Sequence, residues 1–301
     1  MLTVVWVDEL DETTTREVRE LLLAAREVDG RPDISPGEPL PGEFASGPHL
    51  LARADGVLAG YAHLDTSGDA FGRQVAELIV RPDHRRRGVG TEVLSALVDR
   101  ADGAPLRIWA HGDHPGAAAL AERAGFSRAR ELLVMHTPVD PDWPEPRLPE
   151  GVSLRTFVAG QDEQAVIEVN ARAFDWHPEQ GRLTVDDLRA EESADWFDAD
   201  GFFLAEDSTG KLLGFHWTKV HPANPRRFGG RETGEVYVVG VDPGAQGGGL
   251  GKALTLAGLR YLRDRGLPQV ILYVEGDNAP AIAVYSRLGF ARHEVDVQYE
   301  R

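Results

Sequence analysis

The sequence predicts a mixed α/β fold, with parallel and antiparallel strand pairs, that occurs twice in the chain. Runs of β-branched residues alternate with amphipathic runs at helical spacing over the 301 residues. The pattern Arg-x-x-Gly-x-Gly at 85–90 returns as Gln-x-x-Gly-x-Gly at 246–251, and Gly-Phe pairs ending at Phe126 and Phe290 fall into the same alignment. A period of about 140 residues is too long for a solenoid repeat, so we predict two tandem domains.

The first copy alternates short strands with helices. Val18, Leu21 and Leu22 recur at helical spacing, and Asp55-Gly56 between two apolar runs is a hairpin signal. The elements predicted here are strand 2–7, helix 13–28, strands 49–54, 57–64 and 75–80, helix 92–100, strand 106–110, helix 116–124 and strand 132–137.

The second copy repeats this plan around a central strand, a glycine loop and a helix. The β-branched run that starts at Gly234 stops at Asp242-Pro243, which marks a buried strand, and leucines then recur at helical spacing. The elements predicted here are strand 152–157, helices 163–173 and 186–192, strands 202–206, 212–220 and 234–241, helix 253–265, strand 270–274, helix 279–287 and strand 293–299.

Five prolines between residues 138 and 149 separate the copies. Because proline-rich segments are extended and stiff, we predict a linker there. The predicted domains are therefore residues 1–138 and 151–301, joined by a linker at 139–150.

Composition excludes several classes of function. A formal charge of −17 argues against nucleic acid and anionic membranes as partners, whereas it suits a substrate with an ammonium group. The absence of cysteine excludes disulfides, thiolate metal sites and a cysteine nucleophile. There is no apolar run long enough to span a bilayer and no signal-peptide pattern. We expect a cytoplasmic monomer.

The loop between the central strand and its helix predicts an anion site. Three consecutive glycines open the helix, and backbone N–H groups at a helix N-terminus bind phosphate well. The loop matches neither the Walker pattern nor Gly-x-Gly-x-x-Gly. Instead, Gln246-x-x-Gly249-x-Gly251 after a strand resembles the pyrophosphate loop of the GNAT N-acetyltransferases, which use acyl-CoA. The alternative is a flexible glycine-rich turn.

A second motif of the same superfamily distinguishes the two copies. Asn278, followed by Tyr285 and then Gly-Phe, resembles the signature in which a tyrosine protonates the departing thiolate of CoA. A core aromatic is the plain alternative for Tyr285. The first copy has His114 and Ala121 at these positions, so we expect it to bind CoA without catalysing.

Acetyl transfer to an amine also needs a base, because the nucleophile must be neutral. Glu235 opens the central strand, where GNAT enzymes commonly place a glutamate for this purpose; a solvated strand-end charge is the alternative. Backbone N–H groups near Val239 and Val241 are expected to polarise the thioester carbonyl. No metal is expected, and the spacing of His216 and His221 indicates strand and loop positions rather than a ligand pair.

The resemblance becomes closer in three segments of the second copy. Phe-x-x-His-Pro-Glu-Gln-Gly at 174–181, the run 214–222 and the run 234–243 resemble the mycothiol synthase family, and the likeness spans essentially the whole chain. That family has tandem GNAT domains and uses acetyl-CoA to acetylate the cysteinyl amine of cysteinyl-glucosaminyl-inositol. The resemblance implies this function, with the second copy active.

The resemblance also implies roles for individual residues. Glu235 is the expected general base and Tyr285 the expected general acid. The substrate is expected to contact Glu38, Glu179, Lys219, Glu235 and Tyr273. In the second copy, CoA is expected to contact Val239, Gly240, Val241, Gln246, Gly247, Gly248, Gly249, Leu250, Gly251, Lys252, Asn278, Ala279, Pro280, Ala281, Ile282 and Ala283. In the first copy it is expected to contact Leu78, Ile79, Val80, Arg86, Arg87, Gly88, Val89, Gly90 and Thr91.

Two other functions remain open at this point. Another small-molecule or peptide N-acetyltransferase would share Glu235 and Tyr285, but it would not predict the His-Pro-Glu-Gln-Gly segment. A CoA-binding sensor without catalysis would suit the first copy, but it leaves the pair of Glu235 and Tyr285 unexplained.

Overall fold

The chain divides into two units, each with helices packed on a mixed sheet. The computed structural model describes residues 1–32, 34, 39–41, 44, 47–177 and 180–301. The first unit comprises Met1–Leu132, Asn224–Gly230 and Glu294–Arg301, and the second comprises Leu133–Ala223 and Arg231–His293. The predicted fold class is confirmed, whereas the predicted boundaries at residues 138 and 151 stay predictions.

The first unit has the strand order β1-β2-β3-β4-β5, followed by the end of β12. Its pairs are antiparallel except β4 with β5, which is parallel. The elements are β1 (Leu2–Val7), α1 (Glu12–Asp29), β2 (His49–Ala54), β3 (Val57–Asp65), β4 (Gln74–Val80), α2 (Val89–Ala101), β5 (Leu106–Ala110), α3 (Pro115–Arg123), the start of β6 (Ser127–Pro138) and the end of β12 (Ala291–Glu300).

Helix α1 shows why the local sequence folds as it does. Asp11 caps its N-terminus, since the Asp11 carboxylate accepts a hydrogen bond of 2.7 Å from the Thr14 N–H. Gly30 ends it in the left-handed region at φ 76°. Its buried face packs into a core cluster that includes Leu22 and Tyr61, as the helical spacing predicts.

The second unit has the strand order β6-β11-β10-β9-β8-β7, in which β10 and β11 are parallel. Its apolar core includes Phe202, Phe215 and Trp217 on one face of the sheet, packed against the helix that follows β7. The remaining elements are β7 (Ser153–Thr156), α4 (Glu163–Ala173), α5 (Val185–Glu192), β8 (Phe202–Glu206), β9 (Leu212–His221), β10 (Thr233–Val241), α6 (Leu250–Asp264), β11 (Gln269–Glu275) and α7 (Ala279–Arg287).

The proline-rich segment 139–150 is anchored to the second unit. Trp143 is only 3 % exposed, and its indole N–H donates to the Leu288 carbonyl at 3.3 Å. The Arg260 guanidinium donates to the Trp143 carbonyl at 2.8 Å. The sequence predicted an extended linker, and the structure adds that this segment packs on the second unit.

Across the described residues, no helix has both the length and the apolar character that crossing a membrane requires.

Candidate active site

The central feature of the second unit is a gap between β10 and β11. The two parallel strands pair only over residues 234–236, although both continue beyond that point. The register of β10 against β9 shifts by one residue at Tyr237, which is a β-bulge and bends the strand. The edge of β10 from Val238 to Val241 therefore presents backbone N–H and C=O groups to the gap. The residues predicted to polarise the thioester, Val239 and Val241, lie on this edge.

The glycine loop after β10 leaves the start of α6 open. Gly249 is the N-cap at φ 85° and, as a glycine, provides no side-chain cap for the first-turn N–H groups. Gly247 is also left-handed, at φ 85°, and the Gln246 amide donates to the Val241 carbonyl at 3.2 Å. Lys252 is exposed in the first turn of the helix. Free N–H groups and a lysine at a helix N-terminus suit a pyrophosphate.

Helix α7 carries the predicted acid. The Asn278 side chain caps this helix by accepting a hydrogen bond from the Ala281 N–H at 3.2 Å, and residues 279–283 form the first turns. Tyr285 is half-buried, and its ring packs edge-on against the ring of Phe290, with the two ring centres 5.9 Å apart. Burial raises the pKa of Tyr285 to about 12, so the phenol keeps its proton at neutral pH.

Glu235 is buried, in contrast to the alternative of a solvated strand-end charge. It is 4 % exposed, and its Oε2 lies 2.5 Å from Nε2 of His221. A buried carboxylate needs such a partner, because its charge is poorly stabilised without one. The hydrogen bond to His221 supplies it.

Lys219 lies directly opposite Glu235 in the β9–β10 register, but its ammonium is held by aromatic rings. Its Nζ is 4.0 Å from the centre of the Trp196 ring and 4.8 Å from that of Tyr237. Burial, followed by the negative charges of Glu191 and Glu235, raises the pKa of Tyr237 above its usual range. The predicted substrate residue Lys219 is therefore positioned by an aromatic pair that the sequence analysis did not identify.

The other predicted substrate residues are only partly placed. Tyr273 lies on β11, half-buried. Glu38 and Glu179 are outside the described residues. Two described residues near Glu179 are anchored: the Gln180 N–H donates to Nδ1 of His177 at 3.0 Å, and Nε2 of His177 lies 3.5 Å from a Glu275 oxygen.

The first unit repeats the glycine loop. Gly88 is the N-cap of α2 at φ 86°, with no side-chain cap, and Arg86 is left-handed at φ 62°. Arg85 donates to the Val80 carbonyl at 3.0 Å, as Gln246 does to Val241 in the second unit. Of the other residues predicted to contact CoA here, Arg87 lies in the loop, and the rest lie at the end of β4 and in the first turn of α2.

The first unit differs where catalysis would take place. Strands β3 and β4 pair in one continuous register, without the bulge of the second unit. His114 caps α3 in the way that Asn278 caps α7, and the tyrosine position is Ala121. The geometry of the loop is therefore repeated, but neither the bulge nor the phenol is.

A charged cluster lies beyond the point where β4 and β5 stop pairing. Nε2 of His111 is 3.1 Å from Glu77, its Nδ1 is 3.4 Å from Asp296, and Arg31 donates to Asp296 at 2.8 Å. Burial alone would lower the pKa of His111, but the charge of Glu77 and hydrogen bonds to Asp296 and Glu77 raise it to about 10. This cluster therefore links β4 to the residue that follows β5, at the position where the second unit has its gap between β10 and β11.

Sequence reasoning identified the neighbourhood of Glu235 but missed His221 as its partner. The available signal was alternation, because His221 follows Lys219 by two positions on a strand and so faces the same side. Trp196 carried no comparable signal, since it lies between elements rather than in a periodic run.

Comparisons with known proteins agree with this geometry. The sequence profile of the acetyltransferase (GNAT) family matches residues 16–126 and 170–290. A mycothiol acetyltransferase of Saccharomonospora viridis is 69 % identical over 98 % of this chain and 97 % of its own. One of Amycolatopsis mediterranei is 65 % identical over 98 % of each chain. A solved tandem GNAT protein from the clavulanic acid biosynthesis pathway shares the fold, with a TM-score of 0.71, 22 % identity and coverage of 100 % and 98 %.

Proposed function

This chain belongs to the acetyltransferase (GNAT) family and, within it, to the mycothiol acetyltransferases, and on that basis we propose its reaction and the residues that perform it. It is an acetyl-CoA-dependent N-acetyltransferase, as the sequence resemblance predicted. The proposed acceptor is the cysteinyl amine of cysteinyl-glucosaminyl-inositol, and the proposed products are mycothiol and CoA. The single observation that carries the acceptor is the 69 % identity over nearly the full length of a mycothiol acetyltransferase.

Glu235 is the proposed general base. Converting an ammonium group to an amide removes two protons from nitrogen. One is balanced by the proton that the sulfur of CoA gains, and the other leaves to solvent. A buried carboxylate at the edge of the β10–β11 gap can accept the proton that frees the nitrogen lone pair. The nitrogen then attacks the thioester carbon, and the C–S bond breaks.

Tyr285 is the proposed general acid for the departing thiolate. A phenol whose pKa is about 12 is fully protonated at neutral pH, so it is available to hydrogen-bond the sulfur and to donate its proton to it as the C–S bond breaks. The backbone N–H groups of Val239 and Val241 are proposed to stabilise the oxyanion that forms during attack.

The proposed CoA contacts follow from the open helix start and the exposed strand edge. The pyrophosphate would bind the N–H groups at the start of α6, together with Lys252. The amides of the pantetheine arm can pair with the edge of β10 at 239–241, as an added strand would. Residues 278–283 are proposed to line the same cosubstrate from α7.

The amino-sugar substrate is proposed to contact Glu38, Glu179, Lys219 and Tyr273, together with the base. Acidic groups and a tyrosine suit a ligand with an amine and many hydroxyls. The aromatic rings around Lys219 fix its ammonium on the same face of the sheet as Glu235, which supports its place in this set.

The first unit is proposed to bind CoA without catalysis. Its loop retains the left-handed Arg86 and Gly88 and an uncapped helix start, which supports binding of a pyrophosphate. Ala121, the regular β4 and the charged cluster around His111 support the absence of turnover there. The monomeric state and the cytoplasmic location stay predictions.

The deciding experiment measures thiol release from acetyl-CoA with cysteinyl-glucosaminyl-inositol and with a panel of other amines. We expect fast release with the conjugate alone. Release with a different amine would keep the acetyltransferase chemistry and overturn the substrate. Tight CoA binding without release for any amine would favour a sensor.

A further inference from the structure

We propose that His221 is a positioning residue for acetyl transfer. Its Nε2–H donates a hydrogen bond to Oε2 of Glu235, so that Oε1 remains available to accept the proton of the amine. The inference rests on the proposed role of Glu235 as the base, and it assigns a function to an imidazole whose spacing in the sequence indicated no more than a strand or loop position.

The geometry of the pair is specific. His221 is the last residue of β9 and lies opposite Thr233, while Lys219 lies opposite Glu235. Side chains two residues apart on a strand share a face, so His221 and Lys219 both flank the carboxylate. The Nε2–Oε2 distance is 2.5 Å, which is a close hydrogen-bond contact between the two side chains. The imidazole is 22 % exposed and the carboxylate 5 %, so the pair lies at the margin of the buried region.

The alternative partner, Lys219, is held elsewhere. A lysine directly opposite a glutamate on neighbouring strands would ordinarily form an ion pair with it. Here its ammonium instead rests on the rings of Trp196 and Tyr237, and Tyr237 interacts in turn with Glu191 of α5. An ammonium bound to the base would hold the carboxylate in its ionised form and weaken it as a proton acceptor. Of the side chains that flank Glu235, His221 is therefore the one hydrogen-bonded to its carboxylate, whereas the Lys219 ammonium is held by aromatic rings.

A single donor on one oxygen matters because a carboxylate can rotate. The hydrogen bond at Oε2 fixes the plane of the carboxylate and leaves Oε1 free, among the described residues, to accept the proton. Misplacing a catalytic group by about 1 Å can lower the rate on the order of 100-fold. In this role the imidazole keeps its own proton, and the proton from the ammonium moves to Oε1.

The test is a double-mutant cycle. His221→Phe keeps a ring but removes the donor, so we expect kcat to fall by about 10- to 100-fold while KM for acetyl-CoA stays normal. In a Glu235→Gln background, the same change should cost almost nothing more, because its effect passes through Glu235. His221→Gln keeps an N–H donor and should recover most of the lost rate.

The matched control is His136→Phe. His136 is another partly buried imidazole of the second unit, with its Nε2 3.0 Å from Gln269, and this change should leave kcat unchanged. Should His221→Phe unfold, the cycle is run with His221→Asn, whose shorter amide ends before the position of Nε2.

The outcomes separate this inference from the function on which it rests. Normal kcat in His221→Phe, or an equal loss in the Glu235→Gln background, would overturn the positioning role while leaving the base in place. A near-normal rate for Glu235→Gln alone would instead remove the proposed base, and the positioning role with it.

Discussion

Glu235 and Tyr285 reach their proposed roles by different physical routes. Glu235 is buried and bonded to an imidazole, so its charge is supported by a neighbour. Tyr285 is governed by burial, which raises its pKa and keeps the phenol protonated. One group is thus held ready to accept a proton and the other to donate one, which is the arrangement that acid–base catalysis needs.

Tyr285→Phe is expected to lower kcat by roughly 10²- to 10⁴-fold, because the thiolate loses its proton donor. KM for acetyl-CoA should change little, since the ring and its contact with Phe290 remain. The measurement is steady-state kinetics from pH 7 to 10. Because the pKa of the phenol is about 12, no activity should be lost to its ionisation in this range. A basic limb near pH 10 that disappears in the variant would contradict this.

For Lys219, the sequence predicts the position on a strand but not the direction of the ammonium group. The sequence predicts a strand position for Lys219, and the register adds that it lies opposite Glu235. The direction of its ammonium depends on Trp196, which is 23 positions away in the chain and outside any periodic run. Contacts of this kind arise from packing, so they could not be read from spacing.

At the scale of elements, the same strand, loop and helix serves both units. Each loop begins with a side chain that bonds the last carbonyl of the strand, and each helix begins at a left-handed glycine. A positive φ at an N-cap is cheap only for glycine. The spacing of the glycines was therefore readable from the sequence, because the backbone requires it.

Gly249→Ala and Gly88→Ala form a matched pair of variants. A Cβ meets no atom within 4 Å at either position, so the cost is the left-handed conformation itself, about 1–2 kcal/mol in each. We expect similar losses of thermal stability. Only Gly249→Ala should raise KM for acetyl-CoA in turnover, by about 10-fold for each 1.4 kcal/mol of binding free energy lost. Equal effects of both variants on turnover would contradict the assignment of catalysis to the second unit.

The bulge at Tyr237 is the element-scale difference between the units. It appears in β10 and is absent from β4, although both strands separate from their parallel neighbours after three paired residues. The sequence alignment of the two copies showed no sign of it, because a one-residue bulge depends on the register with the neighbouring strand.

At the scale of the whole molecule, the cluster around His111 makes stability depend on pH. The pKa of His111 is raised from 6.5 to about 10, so its stabilising effect is complete below pH 6.5 and is lost as pH rises through 10. Burial opposes the charge of Asp296, but the His111 hydrogen bond and the charge of Arg31 outweigh it and lower its pKa to about 2. That contribution is complete above pH 3.8 and is lost as pH falls through 2.

His111→Gln should remove the alkaline part of this dependence. The His111 side chain is 39 % exposed, so solvent screening reduces its contribution to about 1 kcal/mol, or roughly 2–4 °C in melting temperature. The measurement is the melting temperature from pH 6 to 10.5 for both proteins. The wild type should lose more than the variant over this range, and parallel curves would refute the cluster as the cause.

The sequence by itself determined the two-fold repetition, the order of elements, the glycine loops and the difference between Tyr285 and Ala121. These follow from local periodicity and from conformations that only particular residues adopt. The tertiary structure decided that Glu235 is bonded to His221, that aromatic rings hold Lys219 and that segment 139–150 packs on the second unit. It also decided that a charged cluster links β4 and β5 of the first unit. Each of these joins residues that are distant in the chain or related only through strand register, and register and packing are set by the fold as a whole.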